Sequence, residues 1–371
     1  MFRLERRPTP SSLMSYVSPL LAAACMLVTG FLLFSALGKD PVEAFYLFFV
    51  KPISTTYGIG ELLLKTTPLL LCGVGLALGF RANVWNIGAE GQLTMGAIAG
   101  GGVALWFGDS NSVFAMPLML LAGILGGMAW AAIPAFLRTR FNTNEILVTL
   151  MLVYIAQLVL SWLVHGPWRD PQGQNYPQSQ GFGDAETMDV LIAGTRVTWG
   201  IVYALGLALA AWVFSQKTFA GFRMQVAGLA PAAAAYAGFS EKRNIWIALL
   251  LCGAASGLAG ICEVAGPIGR LQQQISPGYG FAAIIVAWIG RLHPIGVIFG
   301  ALLMSLLYLG GESAQMGMGL PSAITGLFQG LLLFYLLAAD LFINFRLRRV
   351  DVAEAKPAAP TAPAAPVEST V

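Results

Sequence analysis

The chain is short of charge. Only 11% of its 371 residues are Asp, Glu, Lys or Arg, against 57% hydrophobic. A water-soluble core of this length needs a far more polar surface, so the composition demands lipid as solvent. The net charge of +3 is small and scattered, which argues against a nucleic-acid partner. Histidine is scarcer still: His165 and His293 are far apart and make no metal site. Cys25, Cys72, Cys252 and Cys262 lie in apolar stretches without disulfide or metal spacing and read as small packed hydrophobes. No phosphate-cradling G-x-x-x-x-G-K-[ST] run, nucleophile elbow or pair of catalytic carboxylates occurs, so nothing points to an enzyme acting alone.

What is present is a succession of apolar windows, at roughly 16–37, 62–80, 92–107, 113–137, 146–165, 197–215, 244–265, 281–290, 295–310 and 322–342. A helix needs about 20 residues to cross a bilayer. The windows at 92–107, 281–290 and 295–310 are short. Short segments interrupted by Gly or Pro point to broken helices around a binding site. The 281–310 region reads equally as one bent span or as two. The expected fold is an all-α polytopic membrane protein with eight to ten transmembrane helices. Residues 1–15 form a cytoplasmic N-terminus, 16–345 the transmembrane domain, and 346–371 a disordered, Pro/Ala-rich cytoplasmic tail.

Basic residues set the orientation. Arg3, Arg6 and Arg7 put the N-terminus inside. With ten crossings, Arg138, Arg140, Lys217, Arg223, Lys242, Arg243, Arg346, Arg348 and Arg349 also fall inside. The acid-rich 166–196 loop falls outside. Both termini are then cytoplasmic. Small pairs four residues apart, such as Gly96/Gly100, Gly123/Gly127, Gly253/Gly257, Gly296/Gly300 and Gly326/Gly330, suit close helix packing in lipid.

Three polar constellations stand out. The run 81–92 places Asn83, Trp85, Asn86, Glu90 and Gln92 between two apolar windows. Amides that donate and accept, a carboxylate acceptor and a stacking ring suit a solute bearing hydroxyls or base edges, provided the run is re-entrant. A plain cytoplasmic loop is the other reading. The second is the cytoplasmic loop 216–243. There Pro231 suits a first helical turn, Ala232 to Ala235 (with Ala234 among them) favour helix, and Gly238 is placed to end it. The product is a two-turn helix carrying one aromatic, Tyr236, which fits a groove on another protein or is an ordinary surface loop. The third is Pro277-Gly278-Tyr279-Gly280-Phe281, a rigid turn entering a short helix, where Pro277, Gly278, Tyr279 and Phe281 shape an outer gate or anchor at the interface. Glu61 and Lys65 read as an i,i+4 pair, and Glu263 with Gln272 to Gln274 as a rim of the outer mouth or a solvated loop.

These segments carry a resemblance. Val226-Ala227-Gly228, Ala233-Ala234-Ala235-Tyr236-Ala237-Gly238, Ser256-Gly257-Leu258-Ala259-Gly260, Ile275-Ser276-Pro277-Gly278-Tyr279-Gly280-Phe281 and Ala287-Trp288-Ile289-Gly290-Arg291-Leu292-His293-Pro294, with Asn86-Ile87-Gly88-Ala89-Glu90-Gly91-Gln92 upstream, span roughly 60 to 312. Together they resemble ABC importer permeases of the branched-chain amino acid/simple sugar superfamily, and its nucleoside/simple-sugar branch above all. Many relatives have Ala-Leu-Leu-Gly-Arg where this chain has the bulkier Trp288, which weakens any inference of an identical solute.

The resemblance implies a permease subunit in the cell (inner) membrane. It implies cytoplasmic ABC ATPase subunits docking at Gly228, Pro231, Ala234, Tyr236 and Gly238. A second permease subunit, identical or paralogous, and an extracytoplasmic solute-binding protein complete the importer. No cofactor or metal is bound by this chain; ATP and Mg are used by the ATPase partner. The solute is expected to be a nucleoside or simple sugar. The rival from another class is an ion-coupled secondary transporter, which would need a buried carboxylate or cation site within a span.

Overall fold

The structure is a computed structural model and describes residues 2–6, 12–108, 112–174 and 176–349. It is helical almost throughout, because lipid offers the backbone no hydrogen bonds and each span must satisfy its own. The helices are α1 (Ser12–Ala36), α2 (Pro41–Phe45), α3 (Thr56–Arg81), α4 (Ala89–Phe107), α5 (Ala115–Phe141), α6 (Glu145–His165), α7 (Gly200–Lys217), α8 (Phe219–Leu229), α9 (Pro231–Tyr236), α10 (Glu241–Glu263), α11 (Tyr279–Ile289), α12 (Pro294–Met318) and α13 (Ala323–Asn344). Side-chain caps start several of them: Thr55 accepts from the Gly58 amide, Asn144 from Ile146, Thr218 from Gly221 and Ser240 from Arg243. Each apolar window of the sequence carries one helix. Six helices of the described residues are long and apolar enough to cross a membrane by themselves.

The chain forms two compact units. The larger runs from Val28 to Leu333; the smaller is built from the chain ends, up to Leu27 and from Phe334. Within the smaller unit a strand β1 (Phe2–Arg6) pairs antiparallel with β2 (Phe345–Arg349), in the register Leu4 opposite Leu347. The two ends of the chain therefore lie side by side, as an even number of crossings requires. Strand β2 includes residues 346–349, the start of the segment read as a tail; residues 350–371 lie outside the described residues.

The larger unit is organised around α3. Its apolar window is 83% buried, against 28% for those of α5 and α6, so α3 is the central span and the other two are peripheral. Helices α4, α5 and α10 pack through their small faces. A Cβ on Gly96 would strike the Gly257 backbone, and one on Gly127 the Gly253 carbonyl. Such approach brings helix backbones into van der Waals contact, which replaces the hydrophobic drive that lipid removes. Gly326 and Gly330 meet nothing nearby, so that pair is not used in this way.

The 281–310 region resolves into a short helix and a full span. Eleven residues of α11 rise about 16 Å, half of a bilayer core. The rest of that crossing is the non-helical strap of residues 269–278, which follows the Glu263 end of α10, the end that the distribution of basic residues assigns to the outside. A tight turn through Arg291 and Leu292, both at positive φ, then starts α12. The stretch 269–289 is thus half strap and half helix.

Candidate functional site

In the run 82–88, Ala82, Val84, Asn86 and Gly88 are buried and Asn83 is exposed, and two of its amides bond to α6. Glu145 of α6 accepts from the Trp85 amide at 3.4 Å, and Thr149 from the Ile87 amide at 3.2 Å. Asn86 is fully buried. Its Nδ2 donates to Gln92 Oε1 at 2.9 Å, while its Oδ1 accepts from the Gly88 amide at 2.9 Å and from Gln92 Nε2 at 3.3 Å. The two amides therefore satisfy each other. Trp85 donates to Asn83 Oδ1 at 3.1 Å, and its ring packs with Phe80 and Trp288 at centroid distances of 5.1 and 6.0 Å. Trp288 is the bulky departure noted in the sequence, and it closes this three-ring cluster.

Glu90 behaves differently. It lies in the first turn of α4, yet its Oε2 accepts from the Gly280 amide of α11 at 2.7 Å. Eight residues separate Gly280 from Trp288, about 12 Å along the helix. The run that begins beside Trp288 has therefore climbed that far by Glu90. It is re-entrant. A Cβ on Gly280 would strike the Ala89–Glu90 backbone, so glycine permits two helix starts to meet deep in the protein. A carboxylate at a helix N-terminus is favourably placed against the dipole and an orphan amide. Ser276 caps the same end, accepting from the Gly278 and Tyr279 amides at 3.0 and 2.8 Å. Gly278 takes φ +98°, which bends the strap into the helix. Tyr279 is buried edge-on to Tyr308 at 5.5 Å.

The strap separates two cavities. One, of about 670 Å³, is walled by Glu90 and Thr94 of α4, Tyr154, Gln157 and Ser161 of α6, and Gln273 to Ser276. The other, of about 710 Å³, is walled by Lys65, Glu263, Tyr176, Gln272 to Pro277 and Tyr279. Both volumes suit a small solute. Gln157 is midway along an apolar span and exposed; a polar group there needs water or a partner rather than lipid.

Charge at the outer end is paired across elements. Arg196 donates Nε and Nη2 to the two oxygens of Glu61 at 2.8 and 2.7 Å. This fork, with the Glu61 charge behind it, raises the already high Arg196 pKa further, so the guanidinium stays charged. Lys65 donates to Glu312 at 2.8 Å. The expected Glu61–Lys65 pair is thus corrected: each residue finds its hydrogen-bonded partner on another element, because the helix fixes only their spacing while the neighbouring segments offer better geometry.

At the inner end, α8 and α9 lie on the end of α3. A Cβ on Gly228 would collide with the Arg81 carbonyl and the Ala82 backbone. Pro231 opens α9, and Gly238 ends it at φ +78°, with Gly238 N–H to Ala235 O at 3.0 Å and Phe239 N–H to Ala234 O at 2.9 Å. That is the paired bonding of a Schellman end. Ala234 is buried beneath, and Tyr236 stands 97% exposed on top. Leu229, Phe219 and Phe222 are exposed beside it. Under α9 is a cavity of about 90 Å³ reached by Asn83, Arg138, Glu241 and Asn244. Asn244 is buried, and neither of its amide atoms has a hydrogen-bond partner.

Of the residues singled out in the sequence, Glu90 reaches one large cavity, and Pro277 and Tyr279 the other. Asn86 and Gln92 bond each other, while Trp85 and Asn83 sit at the inner end. Phe281 is part-exposed on α11 without lining either large cavity. Sequence reasoning passed over Arg196, Glu312, Tyr154, Gln157 and Ser161. Only Gln157, a lone amide in an apolar window, carried a signal that could have found it.

The chain is 36% identical over 93% of its length, and 93% of the relative's, to the glucose ABC transporter permease protein TsgB13 of Haloferax volcanii. It is 29% identical to the guanosine ABC transporter permease protein NupP of Bacillus subtilis over 88% of this chain and 94% of that one. It is 28% identical to the nucleoside ABC transporter permease protein NupB of Lactococcus lactis over 92% and 95% respectively. Residues 58–337 match the family described as branched-chain amino acid transport system, permease component. With multiple membrane-spanning helices, a broken crossing between two cavities and this match over most of its length, the chain belongs to that family of ABC transporter permeases.

Proposed function

We propose that the solute imported through this permease is a nucleoside or a simple sugar. The observation that carries the reading is the broken crossing: a strap and half-helix divide two solute-sized cavities whose walls mix apolar surface with amides, hydroxyls and carboxylates. Such walls match a neutral solute with many hydrogen-bonding groups. The solutes named for the relatives belong to the same chemical class. Glu90 locks the strap to α4 and faces one cavity, so it both holds the gate and meets the solute. Pro277, Gly278, Tyr279 and Phe281 shape the outer side of that gate. Asn83, Trp85, Asn86 and Gln92 build the rigid inner wall of the path.

Power comes from cytoplasmic ABC ATPase subunits, which use ATP and Mg and grip α9 at Tyr236. Gly228, Pro231, Ala234 and Gly238 hold that helix in place. A second permease subunit completes the path, and an extracytoplasmic binding protein delivers the solute. Both termini face the cytoplasm. An ion-coupled carrier would use a buried carboxylate; Glu90 is engaged as a helix cap, so Glu263 is the group such a carrier would use, and the ion-gradient arm below tests it.

The test is uptake by vesicles holding the permease, its ATPase and the binding protein, with guanosine, other nucleosides, glucose and pentoses offered in turn. ATP-dependent accumulation of one of them is expected. Accumulation driven by an ion gradient after the ATPase is removed, or uptake of none of these solutes, would overturn the reading.

A further inference from the structure

This inference rests on the two cavities being the solute path. Around the outer one, the charges pair unevenly. Glu61 holds Arg196, and Lys65 donates to Glu312. Glu263 lines the same cavity and the adjoining one of about 190 Å³ that Glu61, Lys65 and Arg196 also wall. Its carboxylate makes no hydrogen bond or ion pair among the described residues. Lys65, Arg196 and Glu90 are the charges that act on it. Both of those cations are already bonded to other carboxylates. Three acids thus face two bases at this wall, and Glu263 is the acid left over. Glu90, on the far side of the strap, adds a charge of the same sign. The other polar residues lining this cavity are neutral amides and hydroxyls, and Lys65, the cation among its lining residues, is held by Glu312.

We propose that Glu263 is a specificity-determining residue that keeps the path negative, admitting uncharged hydroxyl-bearing solutes and rejecting their phosphate esters. Its two oxygens accept hydrogen bonds from solute hydroxyls. An ester of the same solute brings its own negative charge to the same wall and is repelled, a discrimination made by a clash rather than by an added contact.

Equilibrium binding to the purified permease–ATPase complex, without the binding protein, tests this. The probes are radiolabelled guanosine and glucose, with guanosine 5′-monophosphate and glucose 6-phosphate as competitors. In the wild type, each ester should compete much more weakly than its parent. Glu263→Gln should shrink that gap by about tenfold, the size of a single like-charge interaction of modest strength. Glu263→Asp, which keeps the charge, should preserve it. An unchanged gap in Glu263→Gln, or esters that compete as well as their parents in the wild type, would overturn the role of Glu263. A wild-type complex that takes up neither parent solute would instead overturn the reading of the path itself.

Discussion

The outer and inner ends of the larger unit are joined in different ways. Outside, separate elements are held by ion pairs at the cavity walls: Glu61 with Arg196 and Lys65 with Glu312. Inside, α8 lies on the end of α3 at Gly228 with no room for a Cβ, and α9 is closed by the positive φ of Gly238. Ion pairs exposed to water exchange partners at little cost. Backbone packed on backbone does not. The outer end is therefore suited to change shape, and the inner end to carry a push without yielding. Glu90 and Gly280 stand between them, where the start of α4 meets the start of α11.

The largest effect should come from breaking the rigid end. Gly228→Leu puts a side chain into the Arg81–Ala82 backbone, and overpacking of this kind costs about 1–3 kcal/mol. On the coupling proposed above, ATP-driven uptake in vesicles should fall about tenfold or more, while ATP hydrolysis persists uncoupled. Uptake at the wild-type rate would show that α8 yields.

Next is the junction. Glu90→Ala leaves the Gly280 amide without its acceptor, at a cost of about 1–3 kcal/mol, and should lower the thermal midpoint of the purified complex. Glu90→Gln keeps an acceptor and should fall between. Melting of the alanine variant at the wild-type temperature would remove Glu90 from its capping role. Asn244→Leu works in the opposite direction. It replaces a buried amide with neither atom bonded by an apolar group of similar shape, so stability should rise by about 1 kcal/mol or more. A loss of stability would mean that water or a partner group satisfies the amide.

At the outer end the effects should be smaller. The Arg196 side chain is 54% exposed. A double-mutant cycle on Glu61 and Arg196 should give a coupling of about 1 kcal/mol or less, shrinking with salt. A larger, salt-independent value would make the outer end as stiff as the inner. Smallest is His293, beside the inner turn. Burial, then the Arg81 charge, holds its pKa below the ordinary histidine value. The unfolded chain then binds the proton first as pH falls. The histidine contributes nothing at high pH and lowers stability as pH drops through about 6.5 and towards the folded value. Melting followed from pH 7.5 to 5.5 should show that decline, and His293→Gln should flatten it.

Much of the fold could be read from the residues. Each apolar window carries a helix, since twenty apolar residues in lipid have one way to satisfy their backbone. Pro231 and Gly238 marked the ends of α9 because φ limits act locally. Other features depended on residues far apart in sequence. Glu61 and Lys65 are one helical turn apart, yet their partners come from residues 196 and 312. Asn86 and Gln92 have the chemistry of solute ligands, and only their mutual bonds show them holding the wall. The strap of 269–278 has no periodicity to announce it. Its course is set by the Ser276 and Glu90 caps that receive it. The pairing of β1 with β2 joins the two ends of the chain, which no local pattern could signal.

The sequence by itself determined that this protein lives in lipid, how many apolar segments it has and where the short helix α9 begins and ends. Those properties follow from solvent transfer and backbone sterics, which act residue by residue. Only the tertiary structure decided which polar groups face a cavity, which satisfy one another and which carboxylate is left over, because hydrogen bonds and charges are settled by whatever the fold brings within about 3 Å.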